Sequence, residues 1–224
     1  MSEAAAIQPT DVTVVIPCLD EAGSLPGVLD RVPPGYTVIV VDNNSTDRSA
    51  DVARAHGARV MRQPVPGYGS AVHTGILATT TPVVCVLDGD GSMDPAELPP
   101  MIADLAAGAD LVVGRRIPQR GCRWPLHARW GNALVAARLR TKYRLPVHDI
   151  GAARVTRTRS LIDLEVTDRR SGYPLELLVL AAKAGWTVTE RDIAYRSRTA
   201  GRSKVSGSTL GTIRAIRDFW KVIG

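Results

Sequence analysis

VTVVIPCLDEAGSLPGVLDRVPPGYTVIVVDNNSTD, residues 12–47, decides the fold. Its ends are β-branched runs, Val12 to Cys18 and Thr37 to Asp42, and the stretch between them has helical apolar spacing. It therefore reads as strand, helix, strand. Outward from it, Asp47 to His56 reads as a helix and Ala58 to Met61 as a short strand; Gly69 to Ala78 then makes a helix before the apolar run Val83 to Leu87. This alternation predicts an α/β fold built on a parallel sheet. At Asp94-Pro95-Ala96-Glu97 a capping carboxylate, a first-turn proline and a glutamate predict a helix start, continuing to about Ala107. Ala109 to Val113 returns as a strand.

After Arg115 the texture changes, with Gly, Pro and Arg dense through Arg129 and apolar spacing resuming over 130–143. An edge strand is expected at 150–155, a helix over Leu175 to Ala184 closed by Gly185, a strand over Thr187 to Tyr195, and a final amphipathic helix over Ser208 to Ile223. The simplest organisation is one domain over residues 1–224, with a nucleotide-type half at about 10–115 and an acceptor-side half at about 116–224.

A chain of 224 residues with 45% hydrophobic and 22% charged residues has the makings of a sizeable core, which excludes disorder. Lys and Arg exceed Asp and Glu, 28 against 22, and the net +6 favours anionic partners. Nucleic acid is not among them, because one Phe and no interleaving of aromatic with basic residues leave no stacking platform. Cys18, Cys85 and Cys122 are odd in number and lack Cys-x-x-Cys spacing, so neither a disulfide frame nor a zinc cage is expected. The four histidines, 56, 73, 127 and 148, show no ligand spacing either. With no signal-peptide pattern and no long apolar run, a reducing, cytoplasmic setting is expected.

In an open parallel sheet, ligands bind beyond the carboxyl ends of the strands. Three such ends carry acids: Asp20-Glu21 after the first run, Asp42 to Asp47 after the second, and Asp88-Gly89-Asp90-Gly91-Ser92 after Leu87. Asp88 and Asp90 can aim two carboxylates at one hard cation, Mg²⁺ or Mn²⁺, bridged to a diphosphate. An Asp-Gly turn with no ligand is the competing reading. No Gly-x-Gly-x-x-Gly follows the first strand and no P-loop occurs, which excludes dinucleotide dehydrogenases and P-loop enzymes. A nucleotidyltransferase would need a basic, glycine-rich loop where PCLDEAGS is acidic.

VVIPCLDEAGSL, VVDNNSTDRSADVA, GYGSAVHTGI and VLDGDGSMDP, in this order, resemble family 2 glycosyltransferases of the GT-A fold, particularly the polyprenyl-phosphate mannosyl- and glucosyltransferases. ADLVVGRRI, WPLHARWGN, DIGAARVTR and SRTAGRSKVSG extend the resemblance over nearly the whole chain. It implies a Rossmann-like, mostly parallel sheet flanked by helices, with a smaller C-terminal acceptor-side portion. It also implies that Pro17, Asp20, Glu21 and Asp42 hold base and ribose, that Gly69 lies beside the nucleotide, and that Asp88, Gly89 and Asp90 match the Asp-x-Asp motif. The two aspartates would ligate Mg²⁺ or Mn²⁺, with Ser92 nearby.

Where the family more often has Asp-Asp-Gly-Ser, this chain has Asp42-Asn43-Asn44-Ser45, one carboxylate fewer. Asp47 reads instead as a helix-capping acid. Arg198, Arg202 and Lys204 match the segment that closes over the donor diphosphate, and Arg115, Arg116 and Arg129 match the arginines that receive an acceptor phosphate. The implied reaction is an inverting displacement at the anomeric carbon of a UDP- or GDP-linked hexose. A polyprenyl phosphate brings its own anionic oxygen; a hydroxyl acceptor needs a base, for which Asp149 and Glu176 are the candidates, Asp149 first. The basic, apolar 208–223 helix would give peripheral contact with the inner face of the cytoplasmic membrane.

Overall fold

A computed structural model of the chain describes residues 6–122, 124–151 and 153–199. The 208–223 helix, Arg202 and Lys204 lie outside them. The chain lays down β1 (Val12–Cys18), α1 (Leu25–Leu29), β2 (Thr37–Asp42), α2 (Ser49–Ala55), β3 (Arg59–Arg62), α3 (Tyr68–Leu77) and β4 (Val83–Val86) in the expected alternation. There follow α4 (Leu98–Ala106), β5 (Leu111–Pro118), α5 (Leu126–Tyr143), β6 (Arg154–Arg157), α6 (Thr158–Asp163), α7 (Tyr173–Lys183) and β7 (Val188–Tyr195).

The seven strands form one sheet in the order β3-β2-β1-β4-β6-β5-β7. All run parallel except β6, which is antiparallel to both β4 and β5. The strand expected at the edge over 150–155 is therefore an interior one, displaced to Arg154–Arg157, and β7 takes the edge. Strand β5 also runs past Val113 to Pro118, because β7 pairs with it throughout, from Leu111↔Val188 to Pro118↔Tyr195. Pro33 and Pro34 forbid a longer α1, and the Asp94 cap opens a 3₁₀ turn, Pro95–Glu97, before α4 proper.

Two apolar layers sandwich the sheet. One is built from α1, α2 and α4, where Leu25, Ala53, Leu98, Met101 and Leu105 cover Val14, Ile16, Cys85 and Val112. The other sets Val72, Ile76, Leu139, Leu161, Leu175 and Leu178 of α3, α5, α6 and α7 against Val15, Ile39, Val84 and Val113. With both faces covered, the central strands read as continuous apolar runs, β1 and β4 being buried at every position. Between β1 and β4 the chain reverses its direction of travel across the sheet, which opens a crevice at their carboxyl ends.

Candidate active site

The crevice is walled by the loops after β1, β2 and β4. Asp20, in the left-handed region at φ 51°, accepts hydrogen bonds from the Thr46 amide (2.6 Å) and hydroxyl (3.1 Å), and its own amide donates to Ser45 Oγ. The Glu21 amide donates to Ser49 Oγ at 2.8 Å. Asp47 accepts from the Ser49 amide at the start of α2 and from the Ala22 amide, so it ties the two loops together from one residue before the cap, a position held by Arg48 with no side-chain capping bond. Pro17 is buried in β1 opposite Val41, and Asp42 Oδ1 accepts from the Ser45 amide at 3.1 Å.

The departure at 43–44 has a structural cause. Buried Asn43 donates its amide to the carbonyls of Gln63 and Val65, both at 2.8 Å, and accepts from the Gly67 amide. An aspartate there could not donate. Asn44 takes φ 69°, a conformation in which asparagine replaces glycine at small cost. Gly69 faces the backbone of the loop before α7: a Cβ on it would lie 2.4 Å from the Asp168 carbonyl oxygen. The amides of Gly69 and Ser70 at the start of α3 donate to the carbonyls of Arg170 and Arg169.

At the floor, the β4 loop passes close beneath the Glu21 carboxylate: a Cβ on Gly89 would lie 2.5 Å from Glu21 Oε2, and an added methyl would have to displace that side chain. Asp90 is buried; its Oδ1 accepts from the Ser92 amide (2.8 Å) and its Oδ2 pairs with Arg198 (3.0 Å). The Arg196 amide donates to the Ser92 carbonyl and the Thr199 amide to the Asp90 carbonyl, so the chain leaving β7 lies across the Asp88–Ser92 loop. Burial, and then the neighbouring Asp90 charge, push the Asp88 carboxyl up to about 6, against the pull of Arg154, Arg198 and Arg116. Two crowded carboxylates, one of them reluctant to ionise, are a donor set suited to a divalent cation that takes its other ligands from a diphosphate and water. Among the described residues no cluster of three His, Cys, Asp or Glu offers a self-sufficient metal cage.

Arg115 and Arg116 do not converge, because adjacent residues of β5 point to opposite faces. Arg115 turns to Asp192 (3.6 Å), beside a shallow cleft that it lines with His148 and Glu190. Arg116 turns inward, 4.5 Å over the ring of Trp124 and 5.5 Å over Tyr195. Asp149 holds it in a fork, Oδ1 on Nη2 at 2.6 Å and Oδ2 on Nε at 2.7 Å, and also accepts from the amides of Arg116 and Gly151. Despite burial, these donors keep the Asp149 carboxyl below its ordinary value. Arg129 lies exposed on α5 at 6.0 Å from the Trp124 ring. Glu176, in the first turn of α7, is engaged by the Thr167 amide and hydroxyl and the Asp168 amide.

Arg154 is a residue the sequence did not single out. Only 2% exposed, it enters β6 opposite Val86 and Val113 and donates to the carbonyls of Ile150 and Gly151. Its charge acts on Asp88 and on the buried phenols of Tyr68 and Tyr173, which burial raises. In Arg-Val-Thr-Arg, residues 154–157, the sequence offers no signal that sets Arg154 apart from a residue of an exposed edge strand.

Residues 13–165 match the family model for Glycosyl transferase family 2. An uncharacterised glycosyltransferase of Mycobacterium tuberculosis (strain ATCC 25618 / H37Rv) is 62% identical over 212 residues, 95% of this chain and 97% of that one. The dolichyl-phosphate hexose transferase of Haloferax volcanii is 34% identical over 90% of this chain and 91% of its own. Among solved structures, glucosyl-3-phosphoglycerate synthase from M. tuberculosis, in complex with Mn²⁺, uridine diphosphate and glucosyl-3-phosphoglycerate, superposes with a TM-score of 0.75 at 21% identity, covering 95% of this chain and 80% of that one. That likeness is one of fold, and the fold is the GT-A sheet described above. With a match across more than half its length and a close relative covering nearly all of it, the chain belongs to glycosyl transferase family 2.

Proposed function

We propose that the chain transfers a hexose from a UDP- or GDP-linked donor to a polyprenyl phosphate, with inversion, using Mg²⁺ or Mn²⁺ held by Asp88 and Asp90. The observation that carries this reading is the engagement of Asp149. Its carboxylate is forked onto Arg116, accepts two backbone amides and is held ionised, so a proton would be accepted only by breaking that set. Glu176 is likewise committed to the 167–168 loop. With both candidate bases occupied, an acceptor that arrives already anionic fits better than a hydroxyl.

When bound, the cation neutralises charge developing on the departing diphosphate. The remaining work falls to the chain. Asp20, Glu21 and Asp42 ring the mouth where base and ribose would sit, and Arg198 exchanges Asp90 for donor phosphate. Arg116, clamped by Asp149 between Trp124 and Tyr195, presents a pre-oriented guanidinium to the acceptor phosphate, with Arg129 at the rim. The name of the H. volcanii relative supports a polyprenyl-phosphate acceptor, and the complex of the solved synthase supports UDP and Mn²⁺. The test is product formation from UDP- and GDP-hexoses with Mn²⁺, offering polyprenyl phosphate and the matching polyprenol in parallel. Transfer to the phosphate alone is expected; transfer to the alcohol would return Asp149 or Glu176 to the role of base.

A further inference from the structure

Among the described residues, the large apolar side chains left exposed are Val65, Leu77, Leu126, Trp130 and Leu134, and three of these five stand on α5. Their spacing is i, i+4, i+8, which at 3.6 residues per turn confines them to an arc of about 80°. The opposite side of α5 is already used, since Ala136 and Leu139 are buried and Leu139 packs in the layer that holds α7. The helix is thus apolar on two opposed faces, and Trp130, 75% exposed, sits in the middle of the unpartnered one.

The charge around that face has one sign. From Leu111 to His148 there is no Asp or Glu; Arg115 and Arg116 are paired with Asp192 and Asp149 from outside that stretch, and Arg120, Arg123, Arg129, Arg138, Arg140, Lys142 and Arg144 supply seven further cations. Arg138 and Lys142 are exposed on α5, about 120° and 160° round from Leu126, so they border the Leu-Trp-Leu stripe. A second copy of this chain would bring the same excess of positive charge against itself. An anionic bilayer supplies both complements, acyl chains for the stripe and phosphates for its border.

We propose that the outer face of α5, led by Leu126, Trp130 and Leu134, docks on an anionic phospholipid surface. This surface rests on residues other than those of the 208–223 helix. It deepens the reading of a polyprenyl-phosphate acceptor, because Arg129, on the same helix, leads from that face to Trp124 and Arg116. No helix among the described residues is long and apolar enough to cross a membrane, so α5 would lie in the interface.

The test is flotation of the full chain with phosphatidylcholine vesicles, with and without phosphatidylglycerol, at low and high salt. Expected is binding to the anionic vesicles that weakens with salt, and a fall of at least about tenfold in Leu126→Ser/Trp130→Ser/Leu134→Ser and in Arg138→Glu/Lys142→Glu, each with an unchanged thermal midpoint. Arg138 and Lys142 are both exposed, Lys142 lying 5.5 Å from the Tyr143 ring, and the charge-reversal pair keeps the test open should the triple variant fold poorly. Wild-type binding that survives both variants, or that is lost only in Ile213→Ser/Ile216→Ser/Trp220→Ser, would overturn the proposal. So would a mass by light scattering that drops from dimer to monomer in the triple variant without a change in vesicle binding. Turnover of a water-soluble short-chain prenyl phosphate separates the two readings: vesicle binding without any such turnover sinks the acceptor assignment alone, and turnover without vesicle binding sinks the docking face alone.

Discussion

Asp149 and Arg116 are 33 positions apart, yet three of the four hydrogen bonds that converge on one carboxylate come from Arg116 and make the two a single unit. Removing Asp149 would strand a guanidinium whose side chain is 18% exposed, and Asp149→Ala is expected to cost about 3 kcal/mol in urea unfolding. Because the folded carboxyl is depressed, the stability it confers is present above its unfolded value near 3.8 and lost as pH falls through the lower folded value. The gap in thermal midpoint between wild type and variant should therefore hold from pH 8 to 5 and close below about pH 4. Asp88 has the opposite sign. Its folded carboxyl is raised to about 6, so its contribution is full below the unfolded value and lost as pH rises through that range. Asp88→Asn should accordingly raise the midpoint of the metal-free protein at pH 7.5 and leave it unchanged at pH 3, below the unfolded value, and Mn²⁺ should stabilise only the wild type.

The α3 start and the loops around it depend on contacts that no local pattern announces. Gly69→Ala would drive a methyl into the Asp168 carbonyl, backbone that cannot yield, and is expected to lose about 2–3 kcal/mol with a matching drop in denaturation midpoint. Asn43→Asp, which turns two donated bonds into repulsion between oxygens, should cost about 2 kcal/mol by the same assay. The acids at the strand ends were legible because position after a buried apolar run is itself topological information: β1, β2 and β4 stand where Val12–Cys18, Thr37–Asp42 and Val83–Leu87 point. The interior placement of β6 was not, since Arg154 and Thr156 read as exposed edge residues. The Ile150, Gly151 and Asp110 carbonyls, reached through the fold, accept from those polar groups inside the sheet. The charged end of β5 hid its length in the same way: Arg115 and Arg116 look like a loop until β7 pairs with them.

At the scale of the molecule, one sheet gathers acids from three strand ends, places buried Asp90 and half-buried Asp88 at the floor of the crevice, and sets a clamped arginine between two aromatic rings beside it. The alternation in residues 12–87 carried the parallel half of the sheet, and the resemblance of its motifs carried the GT-A layout. The cationic set divided on folding, Arg116 turning to the crevice and Arg115 to the opposite face, because neighbouring side chains of a strand alternate. Loss of the metal pair should abolish turnover while sparing the fold: Asp90→Asn keeps an acceptor for the Ser92 amide, so a fall of at least about 10²-fold in kcat is expected with little change in thermal midpoint. The most direct measurement is the initial rate of hexose transfer from UDP- and GDP-linked donors with Mn²⁺, polyprenyl phosphate against polyprenol, in wild type and Asp90→Asn. The predicted result is metal-dependent product on the phosphate, none on the alcohol, and loss of turnover in the variant. Transfer to the alcohol, or turnover that survives both chelation and Asp90→Asn, would contradict a cation-assisted displacement by an anionic acceptor.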